Sequence, residues 1–522
     1  NVYVLRVGGD EAQRNLAITR IDNYDGLTPV NHPLRFEVEV TNNDDEAAEN
    51  VRVGLHVDGE AAAVDSITVP KIPARAAASV TLYANLKQPG YHEIEARFPN
   101  PESTDNLAKD NINRLIVKAV EQVNVLLVHN EDSATDIAED DRHEGFFLNL
   151  ALAPRDDHYV KVVSKPVGEM LDGGLNRYGA VVLANVPTFT EEQIAEMKEY
   201  LHQGGGLIFY GGDNIDVDAQ NTGLFAKHGI LPSSWGDARG DAAQDDEFVE
   251  LQKRDYEHPV TTLWNNPQYS SDLGKARTLR YHPLDEHAHS QATAPEEAGA
   301  VSVVLRFEKD LPEPDAEGEA ESNSGTGSPA ILERAWSNGV VYQIATTADT
   351  DWADLASRGA SLILVQRMVG SVMARQDAGL NLDVGKPFIH ALDPLQSDKE
   401  GFVVFAGRTN AATADKINEQ PVLRFDDTHR AGTYKFQIKG EEGTETMFVV
   451  QHDETESDLR KIANKDIPLD SDSVITWRAD EDFTATVQKA RTGAELWLLI
   501  LLGVLALVGL ETYLAQKFSH SK

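Results

Sequence analysis

Three clusters of side chains in this sequence have the types and spacing to do chemistry. In Gly211-Gly212-Asp213-Asn214-Ile215-Asp216-Val217-Asp218 the glycines permit a tight turn. Asp213, Asp216 and Asp218 follow with closely spaced oxygens that could hold a hard cation. The run is not an EF-hand, because the downstream bidentate Glu is missing, and a purely structural loop is the commoner use of such residues. Asp349 and Asp351 lie just beyond an apolar, strand-like run and could form an acid/base pair or a cation site. Capping a helix N-terminus is the alternative for them. His282, His287 and His289 fall within eight residues beside Asp285 and Glu286. His-x-His can ligate a transition metal when its backbone is ordered, although loop histidines without a ligand are more common. Trp235, Trp336 and Trp352 could stack on a sugar ring or fill a core.

The chemistry that is missing narrows the field. The 522 residues contain no Cys, which excludes disulfides, thiolate metal sites and a cysteine nucleophile. No G-x-S-x-G, H-E-x-x-H, G-x-x-x-x-G-K-[ST] or G-x-G-x-x-G motif stands where its structural context would demand it. The expectation is a protein that is not an enzyme and takes no cofactor. A metal-dependent hydrolase or ligand-binding sensor using the acidic loops is the alternative. Lys and Arg total 47 against 85 Asp and Glu, a net charge of −38. So acidic a chain, with no basic patch, is not expected to bind nucleic acid.

The elements that must position these side chains read as a multidomain α/β plus β chain. Residues 1–120 alternate with period two, as in Leu34-Arg35-Phe36-Glu37-Val38-Glu39-Val40, and turn clusters separate the runs. That pattern predicts an antiparallel β-sandwich. From Val123 the grammar changes to continuous apolar runs, Val123 to Val128, AVVLA from Ala180 and Leu207 to Tyr210, as strands covered on both faces require. Between them Thr190 and Gln193 form a capping box for a helix with an Ile194, Met197, Leu201 stripe. Residues 121–379 are therefore predicted as a parallel α/β domain, closed by a strand at 340–346 and a helix at 362–375. Residues 310–329, rich in Pro, Gly, Ser and Glu, read as a mobile surface loop between two strands. Residues 380–488 return to short strands, a small β domain, with a short helix at 454–463.

Residues 496–510 (LWLLILLGVLALVGL) carry no charge. Extended over 494–515 the run suffices for one transmembrane helix, with Trp497 and Tyr513 as interfacial aromatics. Glu511 sits inside or at the edge of the span, as a headgroup-level carboxylate or a contact to a partner helix. Residues 516–522 would form a short basic tail. The flanking charges are nearly balanced; the large acidic body favours body outside and tail in the cytoplasm. A chain that opens Asn1-Val2-Tyr3-Val4 reads as a strand from its first residues and as a fragment of a longer precursor.

The run YGAVVLANVPTFTEEQIAEMKEYLHQGGGLIFYGGDNIDVDAQN resembles the class I glutamine-amidotransferase-like domain of large BatA-like (planctomycete-type) membrane proteins. Gly229-Ile230-Leu231-Pro232, His258-Pro259, Asp351 to Leu355, Phe448 to Leu459 and the segment from Glu495 to Ala515 carry the same resemblance. The first 120 residues resemble a CARDB-type adhesion-like sandwich. The resemblance implies a single pass through a bacterial inner membrane in this stretch, a periplasmic body and a cytoplasmic C-terminus. Two membrane helices and a von Willebrand factor A-like domain would precede Asn1. It further implies a scaffold or assembly component of the cell envelope, with other envelope proteins or further copies of itself as partners. One departure matters. True amidotransferases carry a nucleophilic cysteine after the strand that here runs into Gly211-Gly212-Asp213, so no thioester route for glutamine hydrolysis remains.

Overall fold

The computed structural model describes residues 2–6, 14–23, 26–99, 107–130, 143–244, 246–266, 269–288, 298–311, 327–392, 398–417, 420–441, 445–460, 474–478, 482–485, 487 and 497–519. They form two units: Asn15–Asp458, and a discontinuous one made of Asn1–Arg14 with Leu459–Lys522.

Alternation in the first region becomes a sandwich because every second side chain has a core to enter. Leu34–Asn42 is buried at each alternate position and pairs with Leu16–Asn23 and Ala77–Ala84. The facing sheet runs Asp65–Ile72, Ala48–Val57, Gly90–Arg97, Ile112–Ala119. Phe36, Val38, Val53, Leu55 and Ile94 from the two sheets share one core.

The continuous apolar runs build a seven-stranded sheet in the order Val160–Pro166, Val123–His129, Ala180–Ala184, Gly206–Tyr210, Gly339–Ile344, Pro329–Trp336, Ala298–Arg306. The first five strands are mutually parallel, as expected. The last two are antiparallel, which corrects the all-parallel reading. The reason is local. Trp336 pairs with Gly339, leaving a two-residue turn in which Ser337 takes φ 50°. So short a connection, made by Ser337 and Asn338, can join antiparallel strands only. Thr190 and Gln193 close the predicted capping box on the helix Glu191–His202. The helices Glu144–Leu152 and Gly359–Ala378 pack against one another.

The third region forms a five-stranded and a three-stranded sheet around Phe388, Tyr434, Phe436 and Phe448. The rings of Phe388 and Phe448 stack at 4.0 Å. The side-chain amide of Asn381 joins this region to the sandwich like an added strand: its Oδ1 accepts from Ile116 N at 2.8 Å and its Nδ2 donates to Ile116 O at 3.0 Å. The helix expected at 454–463 is a single 3-10 turn, Glu454–Ser457, and residues 461–463 lie outside those described.

Gly26 anchors the sandwich to the central layer. It takes φ +72°, and a Cβ there would overlap the carbonyl of Gly370 in the helix Gly359–Ala378. Gly26→Ala should therefore lower stability by about 2 kcal/mol, read from the urea midpoint, through a left-handed backbone and an overfilled contact.

In the second unit Val2–Arg6 pairs in parallel with Val474–Arg478. The helix Trp497–Ser519 follows. Its Trp497–Phe518 portion has a mean hydropathy of 2.3 in its most apolar window and no buried surface there, and is long and apolar enough to cross a membrane. Trp497, Glu511 and Tyr513 are exposed along it. Residues 494–496 and 520–522, parts of the expected span and tail, lie outside those described.

Candidate functional site

Counted from Val123, the parallel strands lie in the order 2-1-3-4-5. Doubly wound sheets of this order place ligands beyond the carboxyl ends of their strands, where the direction of winding reverses. Those ends carry His129, Asn185, Gly211 to Asp213 and the segment from Thr346 to Asp351. The helix Glu144–Leu152 starts among them, capped by His143.

Asn185 organises the crevice. It is buried and holds φ +50°, uncommon for a residue with a side chain. Its Nδ2 donates to Glu144 Oε1 at 2.8 Å and to Asp213 Oδ1 at 3.0 Å. Its Oδ1 accepts from Asn214 N at 2.9 Å. Gly212 must be glycine, because a Cβ there would overlap the Asn185 amide. His282, buried between Trp235 and Trp352, holds the same turn, its Nε2 3.1 Å from Gly212 O and its Nδ1 2.9 Å from Gly236 O.

Asp349 is 4% exposed, and its Oδ1 accepts from Asp351 N at 3.0 Å. Burial, and after it the charge of Glu144, pushes its carboxyl up to about 6. Glu144 is raised too, by burial first, with Asp213 and Asp351 adding to the effect against the Asn185 hydrogen bond. His143 Nδ1 accepts from Gly145 N, which places the ring proton of the neutral form on Nε2. Burial lowers this imidazole, and nearby His129 lowers it further. A crevice with a carboxyl that titrates near neutrality can give or take a proton, and its unprotonated form attracts cations.

The structure thus brings together Asp213, Asp349 and Asp351, and adds Glu144, Asn185 and His143, which the sequence reading missed. Asn185 was findable, since it directly follows the AVVLA strand. Nothing in the spacing of Glu144 points to Asp349. Asp216 and Asp218 stand apart: Asp216 caps the short helix Val217–Gln220 through Ala219 N at 3.0 Å, and Asp218 lies exposed in its first turn. Asp349 caps no helix, since its carboxylate closes a turn onto Asp351 instead. His287 is exposed and His289 lies outside the described residues, so His282 stands as a turn anchor. Trp235, Trp336 and Trp352 are buried core residues with no face open to a sugar. Among the described residues no three His, Asp or Glu side chains converge as a metal centre.

A second polar cluster lies inside the sheet layer. Glu333, on the strand Pro329–Trp336, accepts from Tyr342 Oη at 2.5 Å, and its carboxylate meets His258 Nε2 at 3.1 Å and Arg375 at 3.3 Å. Tyr342 Oη is also 2.8 Å from Ser371 Oγ. Burial works to raise the Glu333 carboxyl, but His258, Tyr342 and Arg375 outweigh it and hold it below the usual range.

No protein-family model matches the chain, and no curated protein does. Solved structures give partial likenesses. A CARDB domain from Pyrococcus furiosus, crystallised with two metal ions, is 19% identical over 21% of this chain and 90% of its own, with a TM-score of 0.19. A domain of a putative cell surface protein from Methanosarcina acetivorans is 16% identical over 21% and 95%, also at 0.19. A β-galactosidase from Rahnella sp. R3 is 12% identical over 49% and 32%, at 0.28. CARDB domains are thus among the partial fold neighbours, while the BatA-like and amidotransferase-like resemblances gain no support from these comparisons.

Proposed function

We propose that this chain is a membrane-anchored, non-catalytic component of a bacterial cell envelope. It works as a scaffold or assembly partner, with its body periplasmic and its C-terminus cytoplasmic. The observation that carries the reading is the apolar helix Trp497–Phe518, whose most apolar window has no buried surface among the described residues. The absence of cysteine removes thiol catalysis, the chemistry of the amidotransferases that the central region resembles. In this proposal the strand order 2-1-3-4-5 is the retained frame of that fold, and the two β regions supply binding surfaces. The full chain should remain with membranes after an alkaline carbonate wash, and a chain ending before Trp497 should be released. Recovery of the full chain in the soluble fraction would sink the proposal. Crosslinking in membranes should then capture a defined complex or homo-oligomer.

The Asp349 and Glu144 pair favours a second reading, a ligand-binding sensor or metal-dependent hydrolase built on Asp213, Asp349 and Asp351. Stoichiometric metal in the purified chain, lost on Asp213→Ala, would support it; metal-free protein from metal-supplemented growth would refute the hydrolase.

A further inference from the structure

A groove of about 860 Å³ runs along the outer edge of the central sheet. One wall is the edge strand Ala298–Arg306, through Ser302, Val304 and Arg306; the other is the segment from Gln252 to Pro259. That segment is tied to the strand on either side of the groove. Gln252 N donates to Arg306 O at 2.9 Å, Glu308 N donates to Glu250 O at 2.9 Å, and the Thr261 hydroxyl donates to Val304 O at 3.1 Å. Among the described residues no strand pairs with the outer side of residues 298–303.

Sheet proteins ordinarily blunt such an edge with charges, Pro or a covering element. Here the eight residues 298–305, AGAVSVVL, carry no charge and no Pro, in a chain of which 25% is charged. Gly299, Ala300 and Ser302 are exposed. The groove beside this edge is acidic. Arg254 is already paired with Asp255 at 3.7 Å and Arg306 with Glu286 at 2.5 Å. Glu257 and Glu308 have no ion pair among the described residues.

We propose that an extended, Lys- or Arg-bearing segment of a partner protein enters beside the groove and adds to the unpaired residues 298–303 of this edge as a further strand. Backbone hydrogen bonds to the strand would supply affinity, and Glu257 and Glu308 would select basic side chains. The inference rests on the reading of this chain as a binding protein and names the chemistry of its partner.

The test uses the full chain in detergent and three fluorescein-labelled nonapeptides: alternating Lys and Val, the same peptide with every second backbone amide N-methylated, and alternating Glu and Val. The Lys/Val peptide should bind saturably. N-methylation, or Glu257→Lys in the protein, should weaken it about tenfold, and the Glu/Val peptide should bind at least that much more weakly. Equal binding of the methylated peptide would reduce the effect to charge alone and overturn the proposal, as would no binding of any peptide. A dimer that Ser302→Pro abolishes in correctly folded protein, with no peptide bound, would also overturn it by showing a second copy on the edge. Partner capture by crosslinking without peptide binding would refute the groove and leave the anchoring reading standing. A chain found to be soluble would refute the anchoring reading whatever the peptides do.

Discussion

Asp349→Asn is expected to stabilise the folded chain by about 3 kcal/mol at pH 7.5, and by less than about 1 kcal/mol at pH 4. The sign follows from the direction of the shift. The native carboxyl titrates near 6 and the unfolded one near 3.8, so the folded state holds the proton longer. The protonated carboxyl costs nothing below the unfolded value. As pH rises through the window from 3.8 to 6, ionising it in place becomes steadily more expensive, because it is buried and faces Glu144. Asn mimics the protonated form at every pH and can still accept from Asp351 N. Urea unfolding followed by tryptophan fluorescence at pH 4, 5, 6 and 7.5 reads the effect, since Trp235, Trp264, Trp336 and Trp352 are buried in the central region. A difference between the two proteins that does not change with pH would refute the assignment.

Glu333→Ala should act in the opposite direction and at least as strongly, costing about 3–5 kcal/mol at pH 7. The loss is larger than that of one hydrogen bond because three partners are stranded at once. Arg375 loses its counter-charge, His258 its acceptor, and the buried Tyr342 hydroxyl keeps Ser371 alone. Glu333→Gln keeps the shape and an acceptor for Tyr342 but not the charge, and should fall between. The native carboxyl is held low, so the charged network stabilises above the ordinary range of a carboxylate and is lost as pH falls through the depressed native value. A Glu333→Ala midpoint that corresponds to a cost under 1 kcal/mol would show that the network contributes little.

What could be read from the sequence divides along physical lines. The period-two run at Leu34 to Val40 and the unbroken AVVLA run specify burial on one face and on two, and the structure shows both patterns. The capping box was legible because both of its partners are three residues apart. The antiparallel edge was misread because the continuous apolar pattern of a covered strand is blind to direction, and the decisive turn is two residues long. The crevice was half legible. Asp213, Asp349 and Asp351 follow strands and can be found by that rule. Glu144 opens a helix, and only the packing of that helix brings it to Asn185. Asp216 shows the converse, a suggestive spacing used up by a helix cap.

The pairing of Val2–Arg6 with Val474–Arg478 gives the protein a timetable. The first of these strands leaves the ribosome at the start of the described sequence, yet its partner is made only after the whole body between them. At a translation rate of about 5–20 residues per second, that strand waits for roughly 25 to 95 seconds without its ladder. Its VYVLR sequence carries no gatekeeping charge until Arg6. For that interval its backbone N–H and C=O groups stand open to any other strand, the hazard that an unpaired edge carries.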